Sequence, residues 1–158
     1  MAEVPQLGER GGGWVVIQFA LIAAVVVAGL AGPAWSESVS SGLSVAGGLL
    51  AVAGAVLAAV SARALGRSLT PFPRPSEGTE IVERGPYDFV RHPIYSGGIL
   101  FLAGFSLFLS PAALILTAAL GSVWGLKSRV EERFLLTSYP GYAAYCARTR
   151  YRLIPFVY

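Results

Sequence analysis

Four stretches of the chain are nearly unbroken apolar runs, and the polar residues fall almost wholly between and after them. The first, Trp14 to Leu30, is closed by Gly32-Pro33, a strong stop signal. The second runs from Leu43 to Leu65, and its Gly47, Gly48 and Gly54 predict close approach of a neighbouring helix, as small residues allow in membrane packing. A glycine that clears room for a ligand is the alternative. Ile94 to Leu109 and Ala112 to Trp124 follow, joined by Ser110-Pro111. Each is short for a hydrocarbon core of about 30 Å, which takes about 20 residues. They span if their helices continue into the polar flanks, from Pro93 at one end to the Glu131 region at the other. A tilted or re-entrant hairpin competes with that arrangement; two spans are favoured. The pattern therefore predicts an all-α, polytopic membrane protein, a single domain over residues 1–158. Spans are expected at about 14–30, 43–65, 93–109 and 111–130, with short interfacial helices on the charged side.

Composition agrees. The chain is 54% hydrophobic and 13% charged, whereas a soluble domain carries about 25% charged residues. Its outer surface needs lipid. Glu3 and Glu9 beside Arg10 leave no basic n-region, so the first run is expected to be a retained helix.

All twelve Lys and Arg residues lie before the first run, between the second and third, or after Trp124. By the positive-inside bias, both termini and the Arg63 to Arg91 loop are expected in the cytoplasm. The Ala/Gly/Arg-rich composition points to a bacterial inner membrane. The net charge of +3 is not a nucleic-acid footprint, because the basic residues cap apolar segments instead of forming a patch. A single cysteine, Cys146, and a single histidine, His92, argue against an internal disulfide and against a metal cluster.

The loop between the second and third runs carries Pro71, Pro73 and Pro75, which exclude regular helix from its first part. Thr79 to Val82 suits a short extended piece, and Gly85-Pro86 turns the chain into Tyr87, Asp88 and Phe89. A loop of this length is more often functional than idle.

Three clusters carry candidate chemistry. In the first, Tyr87 to Gly98, Pro93 suits the first helical position with His92 as its cap, and Gly97-Gly98 admits a close neighbour. The free N–H groups of such a helix start hold a carboxylate well. The second is Glu131-Glu132, whose side chains point about 100° apart on a helix. One is expected to pair with Arg129 or Arg133, while the other faces inward, where it attracts an ammonium or a sulfonium. In the third, Tyr142, Tyr145 and Arg148 share one helical side, with Arg150 and Arg152 beyond them. These arginines are headgroup anchors, or, for Arg148, a fork for a carboxylate or phosphate. Pro140-Gly141 is expected to break the stretch after Trp124 into two short interfacial helices.

Taken in order, Arg91-His92-Pro93-x-Tyr95-x-Gly97, Glu131-Glu132-x-x-Leu135, Tyr142-x-x-Tyr145 and Leu153-Ile154-Pro155 resemble the isoprenylcysteine carboxyl methyltransferases. Their broader group includes the membrane phospholipid N-methyltransferases. The resemblance covers residues 79–155, and it implies S-adenosylmethionine as cofactor with S-adenosylhomocysteine as product. The implied cofactor segments are 79–98 and 131–155. Thr79, Glu80, Ile81, Val82 and Tyr87 match the stretch lining the cofactor pocket. Arg91, His92, Pro93, Ile94, Tyr95 and Gly97 match the cofactor-binding His-Pro motif, and Glu131 and Glu132 match the paired glutamates near the cofactor. Glu132 and Arg148 are thereby placed at the reaction, with Arg148 matching the arginine on the acceptor carboxylate and Tyr145 beside it. The family proline expected soon after Arg148 is replaced by Thr149-Arg150-Tyr151, so Arg150 is an alternative.

The implied activity is methyl transfer to a membrane-embedded lipidic or prenylated acceptor, first among them an isoprenylcysteine carboxylate. Such a carboxylate is already a nucleophile, so His92 reads as a structural or cofactor contact rather than a base. Three alternatives are a phospholipid amine as acceptor, an NADPH-dependent enzyme like the sterol reductases, which share an Arg-His-Pro-x-Tyr element, and a non-enzymatic membrane scaffold. Oligomeric state is not set by the sequence.

Overall fold

The structure, a computed structural model, describes residues 4–75 and 81–155. Five α-helices and no strand occur among them: α1 (Gly12–Ala31), α2 (Glu37–Leu65), α3 (Pro93–Leu109), α4 (Pro111–Ser138) and α5 (Tyr142–Arg148). Short 3-10 turns at Gly66–Ser68 and Gly85–Asp88 punctuate the α2–α3 loop.

The helix boundaries follow local chemistry. α1 starts after Gly11, which sits in the left-handed region at φ 76°, and stops at the Gly32-Pro33 step. Glu37 in the first turn of α2 meets the positive end of the helix dipole. α3 and α4 each open with a proline at the first position, where no N–H is missed, and only Ser110 separates them.

α1, α2 and α4 are long and apolar enough to cross a membrane. α3, with 17 residues, rises about 25 Å and lies antiparallel along α2. Val16, Leu30, Leu49 and Ile115 are each at least 70% exposed. Such a surface is stable against hydrocarbon, not water. The protein is thus a polytopic, all-α membrane protein.

Two contacts hold the helices. α2 and α3 meet through glycines: a Cβ on Gly54 would lie 2.6 Å from the Gly97 carbonyl oxygen, and one on Gly47 would lie 2.6 Å from that of Gly104. Gly48 meets nothing within 4 Å, so two of the three glycines singled out in the second run make the backbone contact. The other contact is a core of Val25, Leu102, Ala113, Leu120 and Trp124, which joins α1, α3 and α4.

α4 differs from expectation. Instead of ending near residue 130 and giving way to two short helices, it runs unbroken to Ser138, and only α5 follows the Pro140-Gly141 break. The physical reason is that its charges turn inward. Lys127 is wholly buried and Glu132 is 6% exposed, so this last third packs as helix.

Candidate active site

The charged ends of α3 and α4 meet at His92. The chain enters α3 alongside the C-terminal segment, with the Arg91 and His92 amides donating to the carbonyls of Tyr151 (3.0 Å) and Arg152 (2.9 Å). One turn on, Ser96 Oγ donates to the Leu153 carbonyl (2.5 Å). These bonds hold the His92 ring between two carboxylates, Nδ1 lying 3.2 Å from Glu131 Oε2 and Nε2 3.3 Å from Glu132 Oε1. Both ring nitrogens can donate only in the imidazolium. Burial opposes that charge, but the hydrogen bonds to Glu131 and Glu132 and their charges outweigh it, and the His92 pKa is raised.

The two glutamates divide the work. Glu132 takes Arg91 Nε at 2.7 Å on Oε1, and Arg152 Nη2 at 2.6 Å on Oε2. Arg91 also donates through Nη1 to the carbonyls of Thr149 and Arg150, each at 2.8 Å. A buried carboxylate held this way is an anchor for the C-terminal segment. Glu131 instead accepts from the Tyr95 hydroxyl and lies 3.7 Å from Lys127 Nζ. Glu132 therefore pairs with arginines brought from distant segments, and both glutamates point inward.

Lys127 is the hinge pin of the opposite wall. Its Nζ donates to Gln18 Oε1 and to the Pro71 carbonyl, both at 2.7 Å, and sits 5.2 Å from the Tyr95 ring centroid. Gln18 Oε1 also accepts from Trp124 Nε1 (3.1 Å). His92, Tyr95 and Trp124 form a continuous stack, with centroids 5.7 and 5.3 Å apart.

These groups enclose a cavity of about 590 Å³ at the charged end of the helices. Ile81, Val82, Tyr87, Arg91, His92, Ile94, Tyr95, Glu131 and Tyr145 line it. Pro93 is buried behind it, and Gly97 faces Ala58 of α2. Thr79 and Glu80 lie outside the described residues. Arg148 is 62% exposed and pairs with Glu83, and Arg150 is exposed; neither side chain lines the cavity. Burial pushes the hydroxyl pKa values of Tyr87, Tyr142 and Tyr145 above the usual range, so all three stay protonated. Tyr145 donates to the Tyr87 carbonyl (2.8 Å), closing α5 onto the loop. Among the described residues, no group of three or more His, Cys, Asp or Glu side chains is arranged to hold a metal ion.

Sequence reasoning gave no site role to Gln18, Trp124 or Lys127, which line the cavity, and the loop that it singled out contributes Ser68 to Pro73. Gln18 carried a usable signal: it is the one strongly polar side chain in α1, and such residues inside spans face a partner or a cavity.

A cavity walled by ionisable and aromatic side chains beneath apolar helices is the setting for chemistry between a water-soluble reagent and a membrane component. Residues 43–141 match the phospholipid methyltransferase family profile. The chain belongs to that family. It is also similar to the cobalt-zinc-cadmium resistance protein CzcN of Cupriavidus metallidurans, at 32% identity over 71 residues. That match takes in 44% of this chain and 33% of the relative, so the chain spans about a third of the relative's length.

Proposed function

We propose that this chain transfers the methyl group of S-adenosylmethionine to a lipidic acceptor that reaches the cavity from the bilayer. The cavity and both termini lie on the cytoplasmic side, where all the basic residues gather, and the membrane is a bacterial inner membrane. The carrying observation is Glu131, a carboxylate 14% exposed that is set in the cavity wall among His92, Tyr95 and Lys127.

The residues fit the cofactor. About 590 Å³ is within the usual range of ligand pockets, about 300–1,000 Å³. Trp124 and Tyr142 in the lining offer aromatic surface for a purine. Glu131 offers a negative charge to the ammonium and the sulfonium. S-adenosylmethionine supplies an electrophilic methyl group that the acceptor's lone pair takes in line.

The chain's own part is placement. His92 and Tyr95 fix the Glu131 carboxylate, and Lys127 and Gln18 draw α1, α4 and the Pro71 loop together around the site. Orientation and exclusion of water of this kind contribute on the order of 7–11 kcal/mol.

An amine headgroup is the acceptor that this wall suits best. An ammonium must lose a proton before its nitrogen can attack, and Glu131 is positioned to take it. Carboxyl O-methylation of an isoprenylcysteine-like acceptor is the second reading. In that reading Arg148, which pairs with Glu83 outside the cavity, would turn inward to hold the acceptor carboxylate.

Isothermal titration of the detergent-purified protein with S-adenosylhomocysteine tests the cofactor assignment. Binding that is lost in His92→Ala and Glu131→Gln supports it. No binding to well-folded protein turns attention to NADPH and the reductase reading. Radiolabelled methyl transfer into lipid extract then separates the acceptors, because a methyl ester is released by base and an N-methyl group is not.

A further inference from the structure

Gln18 uses only half of its side-chain amide to hold the fold. Its Oε1 accepts from Trp124 Nε1 at 3.1 Å and from Lys127 Nζ at 2.7 Å. Both neighbours can only donate, so the amide nitrogen cannot take the oxygen's place. Nε2, with two N–H groups, has no acceptor among the described residues, although Gln18 is 6% exposed and set within an apolar helix. Nor is it sealed off. Of the described side chains, Ser110 Oγ is the one enclosed polar atom without a partner, whereas Gln18 lines the cavity. An amide held out of bulk water with its donors unused costs free energy, which an oxygen on a bound ligand recovers.

We propose that the Gln18 amide binds the methyl acceptor, donating through Nε2 to an oxygen of its headgroup; this rests on the reading that the cavity methylates a lipidic amine. Two observations give the donor to the acceptor instead of the cofactor. Gln18 lies in the second turn of α1, about 9 Å from the charged end where a water-soluble reagent enters. Phe19 beside it lines the same cavity and is 56% exposed on the lipid-facing surface. This wall is therefore the one nearest the bilayer.

The second observation is spacing. Lys127 Nζ stands between Gln18 Oε1, at 2.7 Å, and Glu131 Oε1, at 3.7 Å. The amide and the carboxylate thus line the cavity two short steps apart. An amine at Glu131 that carries an oxygen a few bonds away satisfies both groups at once. In an ethanolamine phospholipid that oxygen belongs to the phosphate. Lys127 already has its partners in Gln18, the Pro71 carbonyl and Glu131, and takes no part in this contact.

The chain has two glutamines, Gln6 and Gln18, so side-chain 15N-glutamine labelling gives two amide pairs by NMR of the full chain in detergent micelles. Gln6, exposed and bonded to the Glu9 carbonyl, is the internal reference. Dioleoyl phosphatidylethanolamine and S-adenosylhomocysteine are added singly and together. A Gln18 amide proton is expected to move downfield when the phospholipid is present, with Gln6 unchanged, and not with S-adenosylhomocysteine alone. A shift caused by S-adenosylhomocysteine alone assigns the amide to the cofactor and overturns the proposal. A Gln18 pair that the phospholipid leaves in place overturns it as well. Gln18→Glu gives a second measurement, since it keeps an oxygen for Lys127 and Trp124 but has no N–H. Affinity for S-adenosylhomocysteine should hold, while KM for the phospholipid rises about tenfold or more, the effect of losing a hydrogen bond to a charged oxygen. An unchanged KM counts against the contact. Failure of the methyl-transfer reading looks different: S-adenosylhomocysteine does not bind in calorimetry, while the Gln18 resonances still report whether the phospholipid docks.

Discussion

Arg152 grips a single oxygen of Glu132, with Nε at 3.0 Å and Nη2 at 2.6 Å from Oε2, across twenty residues of chain. Arg91 and His92 hold the other oxygen. One carboxylate therefore fastens the start of α3 and the C-terminal segment to α4.

Removing that charge takes the carboxylate from Arg91 and Arg152 and one of two carboxylate partners from His92, at a buried site. Glu132→Gln is expected to destabilise the protein by about 3–5 kcal/mol, the usual effect of breaking a buried ion pair from one side. Arg152→Gln should cost less, because Arg91 remains. Thermal unfolding of both variants in the same detergent checks the order.

The histidine gives stability a pH dependence of definite sign. Burial lowers the His92 pKa, but Glu131 and Glu132 raise it further than burial lowers it. Folding therefore takes up a proton. The contribution is full below the unfolded value of about 6.5 and is lost as pH rises through the higher folded value. Unfolding midpoints measured across that window should fall for the native chain and stay flatter for His92→Gln. Equal slopes would show that the ring does not titrate there.

Gln18 tests the wall opposite. Gln18→Leu deprives both Lys127 Nζ and Trp124 Nε1 of an acceptor, and a buried donor left without a partner costs about 1–3 kcal/mol, more when charged. Loss of stability with weakened S-adenosylhomocysteine binding is expected. Titration calorimetry beside unfolding separates the two effects.

The glycine contacts predict a contrast between a position on α3 and one on α2. Gly97→Ala would place a Cβ 2.6 Å from the Ala58 amide nitrogen of α2, whereas Gly48→Ala meets nothing. The first should cost about 1–3 kcal/mol through forced separation of the helices, and the second should be close to neutral. Comparable losses in both variants would remove the basis for this reading of the interface.

Arg148 separates surface from site. Its pair with Glu83 is exposed, so Arg148→Ala should change stability by under about 1 kcal/mol. In a methyl-transfer assay, a raised KM at unchanged kcat would favour the carboxylate acceptor. No change in either would favour the amine.

Much of this was legible in the chain. Apolar runs and proline positions located α1 to α4, since those signals are local. Order and resemblance grouped Arg91 to Tyr95 with Glu131-Glu132, and their side chains do meet around His92. The burial of Lys127 was not, because a lysine beyond an apolar run ordinarily ends in water. Its placement depends on Gln18 and the Pro71 carbonyl, 109 and 56 residues away. For the same reason, the far end of α4 read as interfacial fragments when it is continuous helix.

The reciprocal glycines of α2 and α3 recur every seven residues, at Gly47 and Gly54 and at Gly97 and Gly104. Sliding one helix by a single turn would drive a side chain into the facing backbone, and the next matching register lies about 10 Å away. The pair therefore behaves as a toothed rack that cannot creep. Whatever else shifts around the cavity, these two helices stay in step as a fixed frame.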